Sequence, residues 1–164
     1  FLTQTPKFIP HFLPYFAQTN SMNQIIEKAE IRWADIDPNF HVLHSKYYDY
    51  CANARLLIMA QYGITMQVLE EEHIGPILFR EEAVFKRELK FGDEIEIKIK
   101  LLKSTEDFSR WSFASEIWKN NDTLAAIVTV DGAWLDTVKR KLAIPSERFK
   151  NAFAQMPKAE NYNQ

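Results

Sequence analysis

Cysteine and glycine are scarce in this chain of 164 residues, which has one cysteine and four glycines. The single cysteine, Cys51, excludes an intrachain disulfide and leaves any metal site mainly to histidine and carboxylate ligands. The glycines stand at positions 63, 75, 92 and 132, so there is no glycine-rich phosphate-binding loop. This usage fits a reducing compartment, and we expect a cytoplasmic protein.

The chain also lacks an excess of charge and a long apolar run. A formal net charge of -2 gives no general attraction for nucleic acid, so we expect no nucleic-acid partner. The apolar stretch at residues 8–17 contains two prolines and a histidine and is too short to span a bilayer. It also lacks the basic start and unbroken apolar core of a signal peptide. We predict no membrane span and treat residues 1–22 as an extension outside the fold.

The length and composition are typical of one globular domain. The chain is 46% hydrophobic and 26% charged. This composition supports a hydrophobic core and is not typical of a disordered chain or a coiled coil. We place a single domain at residues 23–157 and a polar tail at residues 158–164.

Hydrophobic periodicity predicts a strand followed by a long helix. Ala29, Ile31 and Trp33 alternate with polar residues, which is the pattern of a half-buried strand. The pattern then changes to that of a helix with Ser45 as its N-cap and Gly63 at its C-terminus. Because this helix is apolar around most of its circumference, we expect it to be buried against a sheet. A polar connector follows at residues 68–76.

Four further strands are predicted at residues 79–91, 94–103, 110–119 and 123–137. Short polar turns join them, so successive strands are expected to pair antiparallel. A terminal helix then presents Phe149, Phe153 and Met156 on one face. The order predicts an α+β fold in which an antiparallel sheet of about five strands wraps around one long helix. Its edge strands are available for pairing with a second subunit.

Titratable groups concentrate at the entrance of the long helix, in DIDPNFHVLHSKYYDY, residues 35–50. Together with the flanking segment RWADIDPNFHVLHSKYYDYCANARLLIMAQYG, this motif resembles the hotdog-fold thioesterases, above all the 4-hydroxybenzoyl-CoA and acyl-CoA thioesterase group. The resemblance covers about residues 25–140. The spacing Asp-x-Asn-x-His-Val followed by tyrosine also resembles acyl-ACP thioesterases. The matching residues are Asp35, Asp37, Pro38, Asn39, His41, Val42, Tyr47, Ala54 and Arg55.

The resemblance implies hydrolysis of an acyl-CoA or acyl-ACP thioester without a cofactor, by a homodimer or homotetramer with active sites between subunits. Asp37 matches the catalytic carboxylate, and the acyl-ACP pattern adds Asn39 and His41 to the catalytic set. One departure is Phe40, where the first group commonly has glycine. This departure predicts a different backbone path for the loop and a differently shaped acyl pocket.

The chemistry of the residues agrees with thioester hydrolysis. Asp37 can deprotonate water as a general base or attack the carbonyl carbon as a nucleophile. The helix N-terminus offers unpaired N–H groups near His44 or Ser45, which can polarise the thioester carbonyl. Phe40 and Tyr47 are further candidates for contact with the substrate.

Several residues have structural alternatives. An aspartate before proline is also a common turn residue, and loop histidines are often satisfied by backbone groups. We expect Asp35 to end the first strand or cap the loop. Cys51 is a rival nucleophile, but its place inside an apolar helix favours a core residue. His73 lacks a convincing ligand spacing with Glu70 or Glu72, so we predict no metal site.

Alternative functions on the same fold are a hydroxyacyl-thioester dehydratase and a non-catalytic carrier of an acyl ligand. The carrier would bind its ligand without releasing a thiol. Phosphates of CoA would need basic partners, for which the sequence offers residues 139–141 and a second group, Lys86, Arg87 and Lys90. A solvated charged face explains these residues equally well.

Overall fold

A computed structural model describes residues 26–164. The predicted extension at residues 1–22 lies outside the described residues. The strands are β1 (Ile26–Ala29), β2 (Ile74–Phe85), β3 (Ile95–Ser104), β4 (Arg110–Lys119), β5 (Thr123–Asp136), β6 (Lys141–Leu142) and β7 (Lys158–Asn163), and the helices are α1 (His44–Gln61), α2 (Met66–Glu71) and α3 (Glu147–Gln155). A short 3-10 helix lies at Trp33–Asp35.

All seven described strands belong to one sheet, with the order β1-β3-β4-β5-β2. β6 extends the sheet beside β5, and β7 pairs with β3 in parallel, whereas all other pairs are antiparallel. Burial alternates along β3, so one face carries Ile95, Ile97, Ile99 and Leu101 inward while its lysines and glutamate lie at the other face. The sheet therefore has one apolar face, as predicted from the alternating sequence.

Helix α1 covers part of that apolar face. Its buried residues recur at helical spacing, which places them in one stripe toward β1, β3 and β5. They are Tyr47, Tyr50, Cys51, Ala54, Arg55, Ile58 and Met59. At the C-terminus of α1, Gly63 has φ +85°, a left-handed conformation that glycine adopts without steric cost.

Helix α3 closes the other part of the core with aromatic contacts. Phe149 and Phe153 are fully buried, and their rings lie 5.0 Å and 5.4 Å from the ring of Trp134. The predicted apolar face of the terminal helix is therefore confirmed, since Met156 is buried as well.

The first strand is shorter than predicted. β1 ends at Ala29, and the chain turns into the 3-10 helix, which leaves Trp33 72% exposed although Ile31 is buried. The reason is local: the Asp35 carboxylate accepts a hydrogen bond from the backbone N–H of Arg32 and folds the chain back at this point. Alternation of apolar and polar residues does not record that interaction.

The predicted pairing of β2 with β3 is wrong. β2 runs from Ile74 to Phe85 and pairs with β5 along nearly its whole length. It therefore lies at the end of the strand order, and β4 and β5 separate it from β3. The alternation continues to Phe91, but residues 86–94 lie outside any strand. The predicted polar connector at residues 68–76 overlaps the end of α2 and the start of β2. The first turn of α2 is capped by the Thr65 hydroxyl, which accepts from Val68 N–H.

Two smaller expectations also differ from the structure. The segment predicted as a polar tail, residues 158–164, contains β7, and Tyr162 places its hydroxyl 2.7 Å from the Ser104 hydroxyl. Ser45 is not the N-cap of α1: the helix begins at His44, with Leu43 in the capping position and no capping side chain.

Candidate active site

The candidate catalytic aspartate lies in a tight loop directly before α1, which we name the Asp37 loop and define as residues 36–43. Ile36 and Val42 face each other in an antiparallel bridge. Inside it, Asp37 N–H donates to the His41 carbonyl at 2.8 Å, and Phe40 N–H donates to the Asp37 carbonyl at 2.9 Å. The loop is therefore a closed turn whose ends are fixed by backbone hydrogen bonds.

Phe40 adopts φ +64° in this loop, the left-handed region that favours glycine. Phe40 thus takes a conformation that a glycine would take with less strain. Its ring is 75% exposed.

Backbone N–H groups of the same loop hold the Asp37 carboxylate. Its Oδ1 accepts from the backbone N–H of Asn39 at 2.8 Å and of His41 at 3.3 Å. Partial desolvation opposes ionisation, but the hydrogen bonds from His41 and Asn39 outweigh it and lower the pKa of Asp37. Asp37 is accordingly a carboxylate at neutral pH. The hydrogen bond from Asn39 to Oδ1 is donated by its backbone N–H, and the side chain of Asn39 is exposed.

Asp35 anchors the loop rather than presenting a reactive group. Its fully buried carboxylate accepts from the Arg32 guanidinium at 2.9 and 3.1 Å and from the Tyr50 hydroxyl at 2.9 Å. The hydrogen bonds from Arg32 lower the pKa of Asp35 to about 2. Its carbonyl also accepts from Leu43 N–H at 2.9 Å. Asp35 thus joins the start of the loop to its end and to α1, in agreement with the capping role expected for it.

A distant segment docks against the Asp37 loop. Val42 N–H donates to the Leu89 carbonyl at 2.8 Å, and Leu89 N–H donates to the Tyr47 hydroxyl at 3.1 Å. Next to these bonds, His41 Nε2 lies 3.0 Å from Glu88 Oε2. Tyr47, predicted as a substrate contact, is therefore buried and occupied in holding this segment.

Two predicted positions lie exposed in the first turn of α1. The side chains of His44 and Ser45 face solvent, and their backbone N–H groups donate no hydrogen bond to another described residue. A helix N-terminus with free N–H groups attracts a developing negative charge. In the chain, this helix end begins seven residues after Asp37.

The other reactive residues of the sequence lie elsewhere. Cys51 is fully buried, and burial raises the pKa of its thiol to about 12, so it carries no thiolate at neutral pH.

Among residues 26–164, no three His, Cys, Asp or Glu side chains are grouped to hold a metal. No helix within this range is long and apolar enough to cross a membrane.

The sequence did not reveal the part played by Glu88 and Leu89 at the loop. Both belong to the segment at residues 79–91 that the alternating pattern predicts as a strand. Tyr47 and Leu89 are 42 positions apart, and nothing in the local pattern of either segment indicates that they meet.

Comparison with known structures identifies the fold. A Staphylococcus aureus protein solved in complex with CoA has a TM-score of 0.75 at 17% identity, covering 86% of this chain and 92% of its own. A DHNA-CoA thioesterase from the same organism gives 0.74 at 18%, covering 82% and 91%. A 1,4-dihydroxy-2-naphthoyl-CoA thioesterase from Synechocystis gives 0.72 at 15%, covering 81% and 97%. These likenesses show the hotdog fold.

Family membership follows from the sequence itself. No curated protein matches the chain. The model of the thioesterase-like superfamily, however, matches residues 31–153, which include the Asp37 loop, α1 and β2 to β5. The resemblance drawn from the motif is therefore confirmed, together with the thioester hydrolase class that it implied. The chain belongs to the thioesterase-like superfamily.

Proposed function

We propose that this protein hydrolyses an acyl-CoA thioester and that Asp37 is its catalytic carboxylate. The observation that carries the proposal is the ionised Asp37 side chain, held by two backbone N–H groups in a closed loop that leads directly into the N-terminus of α1. One carboxylate oxygen, Oδ2, accepts no hydrogen bond among the described residues. That oxygen activates a water molecule or attacks the thioester carbon.

The N–H groups of His44 and Ser45 supply the second half of the mechanism. As the carbonyl carbon becomes tetrahedral, its oxygen gains negative charge, and fixed donors at a helix N-terminus stabilise that charge. Asn39 and His41 act mainly through the backbone N–H groups that orient Asp37. The imidazole of His41 is paired with Glu88 and fixes the loop from the side.

Each of the two predicted basic groups offers candidates for contact with CoA phosphates. Lys86 and Arg87 are exposed and form no ion pair with another described residue, whereas Lys90 pairs with Glu88 at 2.8 Å. Arg140 and Lys141 are likewise exposed without an ion pair among the described residues, whereas Lys139 pairs with Asp136 at 3.4 Å. Cations without a carboxylate partner are freer to neutralise phosphate oxygens.

Thiol release from a panel of short, long and aromatic acyl-CoAs tests the proposal, with wild type compared to Asp37→Asn. The amide keeps an oxygen that can accept from Asn39 and His41, so the loop should stay folded while the base is lost. We expect kcat to fall at least about a hundred-fold. Asp49→Asn, which changes an exposed aspartate of α1, should retain activity.

The outcomes separate the alternatives. Turnover that survives Asp37→Asn would remove Asp37 from the mechanism. A wild-type protein that binds acyl-CoA without releasing thiol would be a carrier. A protein that acts only on acyl-ACP would keep the chemistry but change the substrate.

The role of the helix N-terminus can be tested by removing one N–H group. Leu43 has φ -50° and ψ 134°, a conformation compatible with a following proline, and proline is tolerated at the first helical position. His44→Pro should therefore keep the helix while abolishing the His44 N–H. If this group is an oxyanion donor, kcat falls roughly a hundred- to a thousand-fold, whereas His44→Ala retains activity. Equal activity of the two variants would exclude the His44 N–H.

A further inference from the structure

A cavity of about 260 Å³ lies between the second half of α1 and the sheet, and no residue of the Asp37 loop lines it. Its wall is apolar, with Ile58 and Met59 from α1 and Leu78 and Phe113 from the sheet. Its volume is close to the lower limit of small-molecule sites, which span roughly 300–1,000 Å³.

Two residues on this wall carry N–H donors that are not satisfied. Arg55 is 9% exposed and Trp111 is 5% exposed. Arg55 Nη2 donates to Glu81 Oε1 at 3.0 Å, but neither Arg55 Nη1 nor Trp111 Nε1 has a partner among the described residues. Buried donors are nearly always paired, because burying them unpaired is costly. Because both residues line the cavity, a ligand bound there can supply the acceptor that each donor lacks.

The orientation of the Trp111 indole is fixed by the backbone. Its ring lies so close to Gly132 that a Cβ there would overlap the ring. The indole also packs between Phe113 and Trp134, at 5.3 Å and 5.9 Å between ring centroids. The donor is thus part of a rigid wall.

The charge of the site argues for an uncharged acceptor. Glu81 already pairs with the Arg55 guanidinium, so a second carboxylate in this apolar cavity would be repelled by Glu81 and would lose its hydration. We propose that the cavity binds an apolar molecule with an uncharged oxygen acceptor, such as a ketone or hydroxyl, which accepts hydrogen bonds from the Arg55 and Trp111 N–H groups.

In the proposed thioesterase this molecule is the acyl group, and that assignment alone rests on the proposed function. Arg55 is eleven residues beyond His44, or roughly 16 Å along the helix at 1.5 Å per residue. An acyl group that extends from the helix N-terminus to Arg55 is therefore long, and its oxygen lies far from the thioester.

Calorimetric binding of three matched probes to the full chain tests the inference without any hydrolysis. 2-Acetylnaphthalene carries a neutral acceptor, 2-ethylnaphthalene has a similar shape without one, and 2-naphthoate carries a charged acceptor. We expect the ketone to bind at least about ten-fold more tightly than the hydrocarbon. Equal binding of ketone and hydrocarbon, or tightest binding of naphthoate, would overturn the inference.

Variants locate the effect in the cavity. Arg55→Met and Trp111→Phe should each reduce the preference for the ketone, with circular dichroism used to confirm folding. Trp134→Phe is the matched control, because Trp134 Nε1 is also buried without a partner but Trp134 does not line the cavity. A preference that persists in both cavity variants, or that disappears in the control, would place the ketone elsewhere and overturn the inference.

The same probes separate this inference from the proposed function. A ketone preference in a protein that releases no thiol from any acyl-CoA supports the cavity and refutes only the thioesterase proposal. Thiol release together with equal binding of ketone and hydrocarbon refutes only the cavity.

Discussion

At the scale of single residues, the left-handed backbone conformation of Phe40 destabilises the folded protein. A non-glycine residue at φ +64° destabilises the folded state by about 1–2 kcal/mol. Glycine removes this strain, but the greater entropy of the unfolded chain then destabilises the folded state by about 0.5–1 kcal/mol. Since the exposed ring loses little burial, we expect Phe40→Gly to raise the free energy of unfolding by up to about 1.5 kcal/mol. Urea denaturation measures the change.

Phe108 provides the matched control for Phe40. It also has positive φ, at 55°, but its side chain is buried in the core. Phe108→Gly relieves the same kind of strain and leaves a cavity, which costs about 3–5 kcal/mol for a phenylalanine. The two substitutions should therefore have opposite signs. If Phe40→Gly also destabilises, the exposed ring makes contacts that the single chain does not show.

The Asp35 carboxylate predicts a pH dependence of stability. Its pKa is lowered from 3.8 to about 2 in the folded protein, so the unfolded chain takes up the proton first as the pH falls. Its contribution is fully present above about pH 4 and is lost as the pH approaches 2. We expect Asp35→Asn to lower the free energy of unfolding by about 1–3 kcal/mol at pH 7.

Denaturation of wild type and Asp35→Asn from pH 7 to pH 2 isolates this group from other carboxylates. The difference between the two proteins should narrow between about pH 4 and pH 2. A difference that stays constant over this range would show that the contribution of Asp35 to stability does not come from its charge.

At the scale of elements, Tyr47 joins α1 to the segment that follows β2. Tyr47→Phe keeps the edge-to-face contact with Phe85 at 5.0 Å but leaves the Leu89 N–H without its acceptor. We expect a loss of about 1–2 kcal/mol and faster hydrogen exchange at the Leu89 amide. Tyr48→Phe is the control, since the Tyr48 hydroxyl makes no hydrogen bond to another described residue. Unchanged exchange at Leu89 would contradict the proposed docking.

The elements that sequence predicts well are those defined by local interactions. β3, β4 and β5 follow one another through short polar turns, so alternation and turn residues are enough to locate them and to predict their antiparallel pairing. The buried face of α1 is likewise predicted from the spacing of apolar residues within the helix itself. In the candidate site, the turn around Asp37 is local too, because its hydrogen bonds span at most four residues.

Long-range pairing could not be predicted in the same way. The alternation of β2 identifies its two faces but not its neighbour, and β2 pairs with β5 instead of β3. The same pattern continues through Leu89, which is buried outside the sheet. Ser45 is not the cap, because α1 starts two residues earlier, next to the hydrogen bond from Leu43 N–H to the Asp35 carbonyl.

At the scale of the whole molecule, β2 is left with an open edge. It ends the strand order and pairs with no described strand except β5. Large apolar side chains are exposed along it, namely Leu78, Phe79, Val84 and Phe85. An exposed apolar edge strand is a surface for pairing with another chain. This observation supports the homo-oligomer that the resemblance implies, and we propose that the β2 strands of two copies associate in it with two-fold symmetry.

Val84→Lys tests this arrangement, because a lysine on an edge strand opposes pairing with another strand. We expect a dimer or tetramer for the wild type and a monomer for the variant, measured by analytical ultracentrifugation. Val138→Lys is the control, since Val138 is also exposed but lies in the turn after β5. Where active sites form between subunits, thiol release falls together with the loss of the dimer. A Val84→Lys variant that remains dimeric would show that the copies associate through another surface, and a monomeric variant with full activity would show that one chain contains the whole site.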